Sequence, residues 1–254
     1  MLSWDSFVAW GLLAWFVALT ITEALLEKRE LRTASNDGRL LTNFGLAVVT
    51  ISAGSLLPLA NVGSSLAAQR LGLGLAKGLP WSATFALTLV AQTLASYWVH
   101  RLMHVTPLLW RVHRVHHADV LVDVSTSLRN HPFELLLTIP AAALVILLIG
   151  APVSVVLATE TFFFATALWE HADIRLPARL DRALATVLVT PRLHRLHHNP
   201  ARAVHDSNFG NSFIFWDRLF GTLIDEPDRK PVGLDTQAGR PDHLLDQILS
   251  PLRA

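Results

Sequence analysis

Histidines fall in three tight bursts: HRLMH from His100 to His104, HRVHH from His113 to His117, and HRLHH from His194 to His198. Residues three or four apart share a helix face, so each burst aims its imidazoles at one spot. Imidazole is the commonest metal ligand among side chains. The chain has no cysteine, and an all-nitrogen set suits iron, copper, nickel or zinc. A lone histidine is more often a surface or satisfied core residue, but three matched bursts point to metal. His100, His104, His113, His116, His117, His194, His197 and His198 are more ligands than one ion takes, so two ions are expected.

The elements that must position these side chains read as membrane helices. The chain of 254 residues is 52% hydrophobic and 16% charged, with apolar runs approaching the ~20 residues that cross a bilayer. Five such segments run over about 7–26, 40–60, 83–99, 135–150 and 153–168. The last two, joined at Ala151-Pro152, form a hairpin and are short for a full crossing. A net charge of +1 gives no support for nucleic-acid binding. The N-terminus lacks a basic leader and a small-residue cleavage site, so the first segment is expected to be a retained span.

Lys28, Arg29, Arg32 and Arg39 lie between the first two spans, which makes that loop cytoplasmic by the positive-inside rule. The N-terminus is then external, and the third span delivers His100 to the cytoplasmic face. His131 and His171, before and after the hairpin, return to that face. The glycine-rich stretch 70–81 reads as an external or re-entrant connector. In the polar C-terminal tail, Leu244, Leu245, Ile248, Leu249 and Leu252 share a helical face with Asp242 as its expected cap, docked on the protein or on lipid.

Gln92, Ser96, His100 and His104 form a polar stripe on the third span, and polar groups at that depth face an interior or cavity. Thr106-Pro107 is expected to break the helix. Without a break His104 and His113 would stand about 13 Å apart, whereas paired metals sit roughly 3.5–4 Å apart. Glu160 shares a helical face with His171, eleven residues on, and an acid in an apolar segment is a functional candidate. Asp119, Asp123, Glu134, Glu170, Asp173 and Asp206 are available to orient imidazoles. Arg101, Arg114 and Arg195 are expected to pair with carboxylates or lipid phosphates.

The segments WVHRLMH, HRVHH, RNHPFE, EHADIRLP, TPRLHRLHHNP, DSNFG and WDRLFGT, in order between Trp98 and Thr222, together resemble the fatty acid hydroxylase/sterol desaturase superfamily. The resemblance implies a histidine-held di-iron centre that uses dioxygen and two electrons to hydroxylate or desaturate lipid C–H bonds. It implies as ligands the eight burst histidines with His171, and His131 of Asn130-His131-Pro132 also matches a family histidine. His205 and His243 fall outside its pattern and read as ordinary. Where the family commonly has His-Ala-Asn, this chain has Asp173 after His171-Ala172, which bears on metal tuning or substrate positioning.

The expected architecture is an all-α integral membrane bundle with a cytoplasmic, histidine-rich metal-binding cap. Residues 1–81 hold N-terminal spans and connector, 82–226 the catalytic domain, and 227–254 a polar tail with a short amphipathic helix. The expected function is a multi-pass membrane oxygenase acting on a sterol, fatty acyl or related lipid. Glu160 and Asp173 are its candidate catalytic residues, two irons its cofactor (zinc a substitute), and a separate protein its electron donor. The competing readings are a membrane zinc hydrolase, which would need a motif such as HExxH, and a metal transporter or bis-histidine haem protein, which would place histidines within the spans.

Overall fold

The computed structural model describes residues 4–26, 38–55, 60–226, 231–235 and 242–253. Lys28, Arg29 and Arg32, on which the orientation rests, lie outside them. Twelve α-helices are described: α1 (Trp4–Leu26), α2 (Arg39–Ser55), α3 (Ala60–Leu71), α4 (Trp81–Val105), α5 (Pro107–His117), α6 (Leu135–Ile149), α7 (Val153–His171), α8 (Ala178–Leu184), α9 (Pro191–His197), α10 (Arg202–His205), α11 (Phe215–Phe220) and α12 (Leu244–Leu249). An isolated antiparallel bridge pairs Leu188 with Phe213.

Four stretches are long and apolar enough to cross a membrane: Val8–Leu26, Arg39–Leu71, Pro132–Ile149 and Val153–His171. Their outer faces carry Trp10, Leu41, Val48, Ile51, Leu136 and Leu148, all exposed, and so broad an apolar exterior marks a surface made for lipid. Both hairpin stretches, at 18 and 19 residues, are long enough to cross although their apolar runs are short. The expected third span is the reverse case. Helix α4 has 25 residues, but it is not among the four, because a polar stripe through Thr84, Thr88, Gln92 and Thr93 faces the protein interior.

The second expected span continues further than its apolar run. Helix α3 carries it on to Leu71 and packs along α6, a segment whose alanines, serines and glycine show little periodicity. Beyond it, the connector before α4 folds onto the hairpin tip. Leu75 and Ala76 donate their backbone N–H to Leu148 and Ile149 carbonyls at 3.0 and 2.9 Å. Gly74 and Gly150 make this possible: a Cβ on Gly74 would stand 2.5 Å from the Gly150 Cα, and both have positive φ, which glycine alone adopts freely.

At the opposite end the buried interior turns polar. Arg39, Arg129, His117 and His197 are among the largest fully buried side chains. The Arg39 guanidinium donates to Asp119 at 2.8 Å and to Asp123, tying the start of α2 to the loop after α5. Arg129 donates to Val115 carbonyl, to Asn43 and to Asp242. Helix α12 therefore docks on the protein. Its expected apolar face is only partly used: Leu244 packs on Gly45, while Leu245 and Leu252 are exposed and Gln247 is buried. Asp242 is not its cap, because its carboxylate is drawn to Arg129 and Gln247.

Candidate metal centre

Four elements bring the histidines together. Helix α4 ends at Val105, Thr106 leaves helical geometry at φ −100°, ψ 114°, and Pro107 opens α5, so the chain turns where the sequence places the break. The turn sets His100 Nε2 3.0 Å from His113 Nε2. The end of α7 contributes His171, and α9 with its C-cap contributes His194, His197 and His198.

Nine rings sort into two groups: His100, His104, His113, His117 and His197 in one, His116, His171, His194 and His198 in the other. One nitrogen from each ring lies within 4.8 Å of the others in its group. The Nε2 atoms of His116, His171, His194 and His198 follow one another at 3.0, 3.0 and 3.2 Å. His171 Nε2 has two such neighbours, more than one shared proton can satisfy.

The outer nitrogens explain the aim of the rings. His100 Nδ1 meets Phe209 carbonyl at 2.9 Å, His116 the Arg129 carbonyl at 3.1 Å, His171 the Ala167 carbonyl at 2.8 Å and His197 the Ser207 carbonyl at 2.7 Å. His104 and His113 meet Asp206 and Glu134 at 3.2 and 3.3 Å. The carbonyl and carboxylate oxygens accept here, so these six Nδ1 atoms donate, and the Nε2 atoms are left facing inward. Metal-bound histidines are held in this way.

The inner atoms are left without partners. His104 Nε2, His197 Nε2 and both nitrogens of His117 are buried and unpaired. Leaving one buried polar atom unpaired costs about 1–3 kcal/mol, and a divalent cation would answer one nitrogen of each of these three rings. Burial first, and repulsion from neighbouring rings second, holds His116, His117, His194 and His198 well below the ordinary imidazole pKa. His197 is lowered by burial and by His100 in the same way. These rings are neutral at pH 7, the form that binds metal. The residues present therefore fit a pair of imidazole-bound ions.

Other expected residues stand elsewhere. His131 is outside both groups: its Nδ1 accepts from Phe133 N–H at 3.2 Å and its Nε2 donates to the Ile248 carbonyl at 3.1 Å. Asp173 pairs with Arg195 at 3.1 Å, and its N–H donates to Glu23 at 2.6 Å. Of the six carboxylates expected to orient imidazoles, Glu134 and Asp206 meet a ring of the two groups. Asp119 and Asp123 hold Arg39, and Glu170 accepts from Ser212 N–H at 2.5 Å. Arg195 meets the expectation of a carboxylate partner. Arg114 instead donates to Ser250 and Arg253 carbonyls, and Arg101 lies over the Trp98 ring.

His205, read as ordinary, forms a smaller cluster with His104 and Asp206 and stacks on Trp110 at 5.0 Å. Its position after the third burst gave little signal. The carbonyls of Ser207 and Phe209 were equally invisible, because any residue carries one. They are presented by a loop that Asn208 bends through φ 50°, with its amide donating to Leu193 and Ile224 carbonyls.

The two groups open onto a cavity of about 610 Å³ between α2, α3, α4, α6 and α7. His100, His113, His116, His171 and His194 form its head, and Ala95, Ala141, Ala142, Phe163 and Phe164 are among its walls. Glu160 and Asn61 also line it, with Asn61 Nδ2 donating to Glu160 Oε1 at 2.8 Å.

The pattern of the fatty acid hydroxylase family matches residues 85–222, more than half of the chain and the stretch that carries all nine histidines. The chain belongs to the fatty acid hydroxylase family. It is similar to the alkylglycerol monooxygenase of Danio rerio, at 31% identity over 63% of this chain and 35% of that protein. It is similar to the ornithine lipid hydroxylase of Rhizobium tropici, at 31% over 58% of this chain and 44% of that one. A very-long-chain aldehyde decarbonylase of Oryza sativa is 29% identical over 64% of this chain and 28% of its own length. The chain thus spans less than half the length of these relatives. No solved structure matches it.

Proposed function

We propose that this fatty acid hydroxylase family member is a membrane-bound di-iron oxygenase that hydroxylates or desaturates a C–H bond of a lipid. One observation carries the reading: two groups of inward-facing imidazoles stand at the head of an apolar cavity. His100, His104, His113, His117 and His197 would hold one iron, and His116, His171, His194 and His198 the other. Bound iron supplies the one-electron and dioxygen chemistry that side chains lack.

The protein's own part is placement. Glu134, Asp206 and the Phe209, Arg129, Ala167 and Ser207 carbonyls fix the rings, so that ions are held without rearrangement. The alanine and phenylalanine walls exclude water and accept an alkyl chain. Phe164 lines the cavity and is exposed, and a lipid would enter from the apolar exterior. Electrons are assigned to a separate donor protein and the histidine end to the cytoplasmic face, as the basic residues before α2 suggest. The relatives named as lipid hydroxylases and monooxygenases support a lipid substrate.

The test joins three measurements on the purified membrane protein: iron per chain, dioxygen consumption with a reductant, and lipid mass spectrometry of the host with and without the gene. Two irons, and a lipid that gains one oxygen or loses two hydrogens, are expected. A chain that binds zinc alone and consumes no dioxygen overturns the reading in favour of hydrolysis or metal binding.

A further inference from the structure

The cavity has a polar floor that its apolar walls do not need. Gln92, on the α4 stripe, lies eight residues before His100, about 12 Å along the helix axis; Glu160 lies eleven before His171, about 16 Å. Both line the cavity, as does Asn61. Gln92 is 6% exposed, and its Nε2 is buried without a partner. Asn61 commits its amide nitrogen to Glu160, which leaves its Oδ1 buried and unpaired.

The cavity therefore offers an idle donor on Gln92 and, beside the Glu160 carboxylate, an idle acceptor on Asn61. Each idle group costs about 1–3 kcal/mol if left unanswered, and polar groups at this depth mark a ligand path by default. An ammonium group has donors for Asn61 and Glu160 but nothing to accept from Gln92. A carboxylate ligand would meet Asn61 Oδ1 and Glu160 with like polarity. A hydroxyl both donates and accepts.

We infer that the cavity takes an apolar lipid bearing a hydroxyl at the end remote from the histidines, held by Gln92, Asn61 and Glu160. This rests on the reading of the cavity as the substrate site. The hydroxyl would anchor the chain by its far end and so determine which carbon lies beneath the metal centre. The walls between floor and histidines would measure the substrate.

Retention of radiolabelled dodecan-1-ol, dodecane and dodecylamine by the full chain in nanodiscs, corrected with empty nanodiscs, tests the inference. The wild type is expected to hold the alcohol about ten-fold more tightly than the alkane, the worth of one or two good hydrogen bonds. Gln92→Leu and Asn61→Leu should each reduce that ratio while holding dodecane as well as the wild type, and the double variant should abolish it. Equal retention of alcohol and alkane by the wild type means that water answers the floor and overturns the inference. So does amine held above alcohol, or discrimination that survives both substitutions. Where a variant loses dodecane as well, Gln92→Met replaces it, and the wild-type ratio stands on its own. A chain that selects the alcohol but consumes no dioxygen overturns the oxygenase reading alone. One that consumes dioxygen but ignores the hydroxyl overturns this inference alone.

Discussion

The Arg129 carbonyl receives the Nδ1–H of His116 at 3.1 Å, while the guanidinium of the same residue is buried against Asp242. One residue thus links a ring of the four-histidine group to the C-terminal segment. Removing one partner of a buried ion pair strands the other charge and costs about 3–5 kcal/mol. Asp242→Ala should therefore lower the unfolding midpoint in detergent and reduce metal bound per chain, with Asp242→Asn intermediate. Unchanged stability and metal content would show that the C-terminal segment merely rests on the cap.

Each histidine group should fail separately. His117→Ala and His198→Ala remove one ring from the five-member and four-member groups respectively. Membrane insertion should survive, because the spans satisfy their own backbone. Metal per chain should fall and turnover should vanish in both. Wild-type activity in either variant would remove that ring from the ligand set.

His131 should behave differently. Both of its nitrogens are engaged, with Phe133 N–H and the Ile248 carbonyl. His131→Ala should keep the full complement of metal and lose about 1 kcal/mol of stability, the worth of a hydrogen bond. A loss of metal equal to that of His198→Ala would return it to the ligands.

Glu160→Gln keeps an acceptor for Asn61 but removes a charge from the cavity floor. Metal content should be unchanged, while turnover or the position of oxidation shifts, read by mass spectrometry of the product. Unaltered kinetics and products, with equal or better expression, would leave Glu160 as a buried structural acid.

The metal-free protein should weaken on acidification. His116, His117, His194, His197 and His198 have folded pKa values below the unfolded value of about 6.5. Below that pH the unfolded chain binds protons that the folded chain refuses, so stability is full above about pH 7 and falls as pH drops through 6.5. Melting curves of the metal-free protein between pH 8 and pH 5 check the sign. A flat profile would mean that these rings are not buried as neutral imidazoles.

What the sequence disclosed followed from periodicity. The i, i+3 and i+4 histidines, the break at Thr106-Pro107 and the shared face of Glu160 and His171 are all consequences of helix geometry, visible without a fold. Tertiary choices were hidden. Asp173 lies two residues after His171 in sequence, yet its carboxylate pairs with Arg195. Helix α3 is weakly patterned because it is defined by packing on α6, not by an apolar stripe. Asn61 lies on it as one polar residue among several, and only the cavity singles it out. The α12 leucines promised an apolar footing, but Arg129 and Gln247 set the docking through polar contacts.

The composition of the two groups has a temporal consequence. One contains His197 and the other His194 and His198, so neither is complete until the last burst has been synthesised. By then the four apolar stretches, which end at His171, have all been made. On the proposed reading, complete metallation would follow synthesis of the membrane stretches rather than guide it. Each proposed ion would then be a staple across a long stretch of chain, one joining α4 to α9 through His100 and His197 and the other joining α5 to α9 through His116 and His194. Closing so long a loop is entropically only modestly harder than closing a short one. Uptake of the two proposed ions would thus tie together helices that are already inserted.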